Sequence, residues 1–203
     1  MIDLYTYGTG NAWRVSIMLE ECGLAYRAHK VDLGKGEQNT PAFRRLNPLG
    51  KVPVIVDSAG PGGAPITMCQ SGAILLHCAE KSGRFIPSDP SARAQALQWM
   101  IHAITDGSDA VGGIFRLKRL LDKPESAIAV YENYLSTLLK NADAHLAGQQ
   151  YLAGELSVAD FAFYTIAVIG GDLVGIESLS HLRRWLDGLS ARPGVMRGMA
   201  VPG

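Results

Sequence analysis

Hydrophobic and polar positions follow two different rhythms along the chain. Up to about residue 82 they come in short apolar runs separated by turn residues, and beyond it they recur at helical spacing. Ile2 to Thr6 is predicted to be a buried strand, followed by a Tyr7-Gly8-Thr9-Gly10 loop. From Ala12 to Cys22 the apolar residues Val15, Met18, Leu19 and Cys22 fall on one helical face, with Asn11 as the expected N-cap and Gly23 as the C-cap. Tyr26 to Leu33 reads as a second strand, so strand, helix and strand predict a right-handed parallel crossover. Residues 34–41 are loop, and Pro41 to Leu46 is at most a short helix.

The segment from Asn47 to Gly72 is the most informative. Asn47-Pro48-Leu49-Gly50-Lys51 is a turn-forming run, followed by the β-branched run Val52-Pro53-Val54-Ile55-Val56-Asp57. A proline cannot donate to a ladder, so Pro53 belongs at a strand's first residue or on an edge. If the bond before it is cis, Val52 turns its N–H and C=O outward, free to pair with an extended ligand. A Gly60-Pro61-Gly62-Gly63 hairpin leads to a second short strand, Ile66 to Cys69, and Gln70-Ser71-Gly72 opens an amphipathic helix, Ala73 to Lys81. The unpaired N–H groups and positive dipole end at Ser71 suit a carboxylate. A strand edge beside a helix mouth fits a short acidic peptide, although a proline-initiated strand and a capping serine are also ordinary structural features.

Ser82 to Ala92, with Gly83, Pro87 and Pro90, has the composition of a linker. The remainder predicts helices over Ser91 to Leu121, broken near Gly112-Gly113, then Glu125 to Ala147, Val158 to Ile169, His181 to Leu189 and Gly194 to Ala200. Ser157 and Asp160 have the spacing of a capping box. The expected class is α/β plus all-α: a βαβ-ββα domain over 1–83 and a helical-bundle domain over 91–203.

Composition narrows the partners. The 203 residues carry 19 basic and 19 acidic side chains, a balance that gives no footprint for nucleic acid or an anionic membrane. Cys22, Cys69 and Cys78 show neither CxxC nor metal-ligand spacing, so no metal and no disulfide framework is expected. Met1-Ile2-Asp3-Leu4 lacks the basic and apolar regions of a signal peptide, and a cytoplasmic setting is expected. The apolar stretch from Phe161 to Ile176 is bounded by charge and interrupted by Gly170-Gly171, so it reads as a buried helix.

Taken in order, Asn47-Pro48, Lys51-Val52-Pro53, Gln70-Ser71-Gly72-Ala73-Ile74-Leu75, Phe85-Ile86-Pro87 and Ser157-Val158-Ala159-Asp160 resemble a cytosolic glutathione transferase along essentially the whole chain. Thr9-Gly10-Asn11, Glu20-Glu21-Cys22-Gly23-Leu24 and Val31 to Gln38 look more narrowly like the bacterial nu class. The resemblance implies a thioredoxin-like first domain that binds glutathione as co-substrate. It also implies a helical domain that forms the pocket for a hydrophobic electrophile, a homodimer, and a role in detoxification. Residue by residue, it assigns Val52 to the cysteinyl backbone, Gln70 and Ser71 to the γ-glutamyl end, and Gln38 and Lys51 to the glycyl end, with Pro53 also among the glutathione-binding residues. Two departures stand out: Val130 precedes Tyr131 where the class commonly has arginine, and Gln70 replaces its usual glutamate.

A free thiol titrates near ~8.5, and one hydrogen bond to the thiolate lowers that by about one to two units. Thr9 and Asn11, ahead of the first helix, are the expected donors, and Tyr5, the tyrosine-type candidate, is the rival. Cys22 and Cys78 read as inert helix-face thiols, and Cys69, next to Gln70, also reads as structural. Trp99, His102, Phe115 and Arg116 are candidates either for the electrophile pocket or for ordinary core. Gly8, Gly10 and Asp32 partly match a dinucleotide fingerprint, but Trp13 stands where its third glycine is required. Glutathione-dependent disulfide reduction and non-catalytic glutathione binding remain open beside transfer.

Overall fold

The computed structural model describes residues 1–203. It divides into two compact units, Met1–Arg84 with Arg192–Gly203, and Phe85–Ala191. The terminal helix expected within a 91–203 domain thus belongs with the first unit, for reasons given below.

In the first unit β1 (Ile2–Thr6), α1 (Gly10–Cys22) and β2 (Tyr26–Lys30) form the crossover, with β1 and β2 parallel. The second strand stops at Lys30 and does not continue to Leu33, because the Asp32 side chain accepts from the Gly34 and Lys35 N–H groups while Glu37 takes the Asp32 N–H. This Asx turn leads into α2 (Pro41–Leu46), whose N-cap Thr40 accepts from Phe43 N. Then come β3 (Val54–Asp57), β4 (Ile66–Cys69) and α3 (Ser71–Ser82). The sheet order is β2-β1-β3-β4, with β3 antiparallel to both neighbours. β3 is therefore interior, and the free backbone expected of an edge comes instead from the residues just before it.

Alternation along β1 sends Ile2, Leu4 and Thr6 to a fully buried face and Asp3 and Tyr5 to a half-buried one. The first face closes with Ile55 and with α1 and α3, which pack on each other and bury Val15, Met18, Leu19, Ile74, Leu75 and Cys78. On the second face Val31, Phe43 and Val54 form a smaller cluster joined by Tyr5, Leu33, Leu46, Val52 and Cys69.

The chain end clasps α1. Helix α9 (Pro193–Met199) packs along α1, and Arg192 grips Glu21 with contacts of 3.0 and 2.6 Å. Arg197 reaches Glu20 at 2.7 Å, and Ser16 Oγ donates to the Gly198 carbonyl at 2.6 Å. A Cβ at Gly198 would lie 2.4 Å from Ile17 Cα, so only glycine allows this approach. Periodicity alone assigns these residues to a helix, but only the paired charges show which helix it meets.

The second unit contains α4 (Pro90–His102), α5 (Ser108–Lys118), α6 (Glu125–Leu146), α7 (Val158–Val174) and α8 (Ser180–Ser190). The break expected at Gly112-Gly113 falls at a π-helical turn, Ala103–Gly107, between α4 and α5. Gly113 serves packing: a Cβ there would lie 2.6 Å from the Tyr131 ring. Likewise α7 runs through Gly170-Gly171 and does not stop at Ile169, because Gly170 lets Leu139 and Leu135 of α6 come close. The Ser157–Asp160 capping box is present, and the buried Asp160 carboxylate also accepts from Leu152 N and Trp185 Nε1. No helix is long and apolar enough to cross a membrane.

Candidate functional site

Strand register brings three segments to one end of the sheet. Val54 pairs with Tyr5 on one side and with Cys69 on the other. β3 thus begins where β1 and β4 end, and Val52 and Pro53, just before it, approach that same end of the sheet. The mouths of α1 and α3 open from those strand ends, so two helix N-termini and the approach to β3 converge.

The approach is rigidly built. Asn47, nearly fully buried, donates from Nδ2 to the Lys51 carbonyl at 2.7 Å, and its Oδ1 accepts from Leu49 N. Gly50 sits at φ +62, where a Cβ would lie 2.8 Å from Arg44 Cζ and 2.9 Å from the Gln38 carbonyl. This explains why glycine precedes Lys51: the turn needs a left-handed residue and the space is already taken. The Val52–Pro53 bond is cis, and neither polar backbone group of Val52 is used in the backbone hydrogen-bond network. Lys51 is exposed. Gln38 holds the Leu33 carbonyl loosely at 3.5 Å, and its buried Oε1 has no partner.

At the mouth of α3, Gln70 occupies the N-cap position with φ 76 and ψ 108 and makes no side-chain cap bond. Such a conformation in a non-glycine residue costs on the order of 1–3 kcal/mol and points to a local requirement on the backbone. The helix begins at Ser71, two residues before the expected start. Ser71 is buried, and no acidic side chain occupies the first turn, so its N–H groups face no competing carboxylate.

At the mouth of α1 the N-cap is Thr9, where Asn11 was expected. Thr9 Oγ1 accepts from Ala12 N at 3.4 Å, while Asn11 lies exposed within the first turn. An accepting hydroxyl keeps its own O–H free to donate. Tyr5 faces the other side of the sheet: its ring stacks on His29 at 4.8 Å and meets Phe43 edge-on at 6.4 Å.

The cysteines fall into two kinds, buried and partly exposed. Burial raises the Cys22 thiol, and it pushes Cys78 up to about 12, so neither is a nucleophile at neutral pH. Cys69 is partly exposed and packs against the Val31–Phe43–Val54 cluster. No group of three or more His, Cys, Asp or Glu residues is placed to hold a metal ion.

In the second unit Trp99, half-buried, packs against His145 and Phe163. Phe115 is exposed, Arg116 pairs with Asp109, and His102 Nδ1 lies 2.7 Å from Asp106 Oδ2. Val130 is exposed on α6. Of the four pocket candidates, Trp99 and His102 are thus half-buried, and Phe115 and Arg116 lie on the surface.

A model of the glutathione S-transferase N-terminal domain matches residues 10–81. The chain is 34% identical to the disulfide-bond oxidoreductase YfcG of Escherichia coli over 95% of its own length and 92% of that protein's. A glutathione transferase from Pseudomonas putida, solved with one glutathione disulfide bound per subunit, superposes with a TM-score of 0.92 at 38% identity, covering 100% of this chain and 92% of that one. A family member from Pseudomonas fluorescens with two glutathione bound gives 0.93 at 35% identity, covering 99% and 93%. The chain belongs to the glutathione transferase superfamily, with a thioredoxin-like first domain and a helical second one.

Proposed function

We propose that this protein binds glutathione at the convergent sheet end and holds its sulfur as thiolate for attack on a second substrate. The observation that carries the reading is the convergence itself: the unused Val52 backbone, the acid-free mouth of α3 and the hydroxyl-capped mouth of α1 share one end of one sheet. Val52, turned by the cis bond to Pro53, suits the cysteinyl main chain. Gln70 and Ser71 suit the γ-glutamyl carboxylate. Lys51 offers a cation to the glycyl carboxylate, and Gln38 offers a buried acceptor to a peptide N–H. Thr9 and Asn11 donate to the sulfur, supported by the helix dipole. The place of Tyr5 in the apolar cluster beneath α2 supports this assignment over a tyrosine mechanism.

The thiolate then forms a C–S bond with an electrophilic carbon of a hydrophobic substrate as the leaving group departs with the bonding pair. A second reading, glutathione-dependent disulfide reduction, is supported by the likeness to YfcG. There the thiolate forms a new S–S bond and the other sulfur of the attacked disulfide leaves as thiolate. We place this chemistry in the cytoplasm, in a homodimer with a role in detoxification. The deciding experiment is a glutathione-dependent panel of halonitroarenes, peroxides, epoxides and mixed disulfides. Turnover of a carbon electrophile supports transfer, turnover of disulfides alone moves the protein to reduction, and turnover of neither leaves a binding protein and refutes catalysis.

A further inference from the structure

Gln38 and Lys51, the two residues assigned above to the glycyl end of glutathione, come from separate turns. Gln38 lies in the short turn Glu37–Asn39, and Lys51 closes the turn that begins at Asn47. The turns are in contact where the Gln38 carbonyl faces Gly50, 2.9 Å from where a Cβ would stand there, but no hydrogen bond runs directly between them.

Arg44 spans the gap. Its Nη2 donates to Asn39 Oδ1 at 2.8 Å, at the end of the first turn, and its Nη1 donates to the Pro48 carbonyl, within the second. Between these bonds the guanidinium lies against Gly50, where an added Cβ would stand 2.8 Å from Cζ and 3.0 Å from Nε. The missing side chain of Gly50 therefore leaves room for the planar head as well as permitting the turn. The base of this bolt is firm, because α2 is anchored by buried Phe43 and capped by Thr40, whose Oγ1 accepts from Phe43 N at 3.3 Å. A rigid fork of donors can hold two acceptors apart at a set distance, which the single nitrogen of a lysine cannot do.

We propose that Arg44 is a positioning residue that locks the separation of Gln38 and Lys51, and so makes the protein select glutathione over γ-glutamylcysteine, the same thiol without its glycyl carboxylate. The inference rests on the glutathione reading above and deepens it. Hydrogen bonds weaken steeply once their geometry is lost, and loose turns would have to be ordered on binding at a cost in affinity. Arg44 removes both losses at the glycyl end without touching the ligand, and it leaves the sulfur end of the site unaffected.

The test measures two dissociation constants by calorimetry on the full-length protein, for glutathione and for γ-glutamylcysteine, together with the titration of the bound thiol. Native protein is expected to hold glutathione at least about tenfold more tightly, as one charge-assisted hydrogen bond provides. Arg44→Met loses both bonds to the turns and should weaken glutathione by about threefold to tenfold, with γ-glutamylcysteine affinity and the thiol titration unchanged. Arg44→Lys keeps the charge but not the fork, and its selectivity should fall close to that of Arg44→Met. Asn39→Ala removes one of the two bonds and should give a smaller loss of selectivity, which keeps the test independent of any instability in Arg44→Met. Equal weakening of both ligands in Arg44→Met, native selectivity in both Arg44→Met and Asn39→Ala, or full native selectivity in Arg44→Lys would each overturn the proposal. Native protein that binds both ligands equally refutes the proposal alone, whereas native protein that binds neither refutes the glutathione reading and the proposal with it.

Discussion

Thr9 has two duties that substitution can separate. As N-cap it accepts from Ala12 N at 3.4 Å, a long bond, so its loss should cost about 0.5–1 kcal/mol of stability, the low end for caps. As donor to the bound thiolate its hydroxyl contributes roughly 1.5–3 kcal/mol in favour of the charged form, enough to lower the thiol pKa by about one unit or more. Thr9→Ser keeps both duties and should match the native protein. Thr9→Ala loses both, raising the bound thiol by about one unit with a small loss of stability. Thr9→Asp is the informative variant: its carboxylate still caps Ala12 and favours the helix dipole, yet it has no proton to donate and repels the thiolate. It should leave the helix intact and raise the thiol at least as far as Thr9→Ala. The assay is the ultraviolet thiolate absorbance of the glutathione complex titrated against pH, with thermal unfolding run in parallel. A native thiol titration in both Thr9→Ala and Thr9→Asp would refute the role of this hydroxyl, and a large rise in Tyr5→Phe alone would transfer it to the tyrosine.

Other outcomes follow from the frame around the site. Asp57 is fully buried and held down to about 2, against a burial cost, by hydrogen bonds from Lys81, His77 and the Ala59 N–H. Its folded pKa lies below its unfolded one, so the stabilisation is present above about pH 4 and is lost as pH falls toward 2. Asp57→Asn should therefore cost about 2 kcal/mol in urea unfolding at neutral pH, with the difference shrinking through that acid window. Gly198→Ala drives a methyl into the α1 backbone at Ile17 and should lower stability by about 1–3 kcal/mol or free α9, seen as faster amide exchange along α1. Asp160→Ala strands the donors of Leu152, Ser157 and Trp185 in a buried setting and should cost about 3 kcal/mol or more, read as a lower thermal midpoint. Homodimerisation is checked by light scattering, where a monomer mass at working concentration would reject it.

The first 82 residues were legible almost element by element, because short strands with period-2 patterning and glycine or proline punctuation leave few alternatives. Ile2–Thr6, Pro41–Leu46 and Ile66–Cys69 lie where the pattern put them. Around the site, the same punctuation marks the turn before Pro53 and the helix opening at Ser71, whereas the interior place of β3 depends on strand pairing that no local pattern carries. Errors came where glycine was taken for a breaker. At Gly113 and Gly170 it is instead the only residue thin enough for a neighbouring helix, a distinction that needs the neighbour in view. The N-cap of α1 was misplaced because Thr9 and Asn11 are both good caps, and the choice rests on the Ala12 bond. The clasp of Arg192 and Arg197 on Glu21 and Glu20, and the Tyr5–His29 stack, join residues distant in sequence with no local signature at all.

The account stands most directly on glutathione binding at the convergent sheet end, and calorimetric titration measures it. Native protein is expected to bind glutathione saturably with micromolar to millimolar affinity. Replacing Ser71 by valine, which removes its hydroxyl and crowds the mouth of α3, should weaken that by about tenfold or more, as expected for a lost charge-assisted hydrogen bond. No heat and no thermal shift with glutathione at tens of millimolar, or native affinity in Ser71→Val, would contradict it.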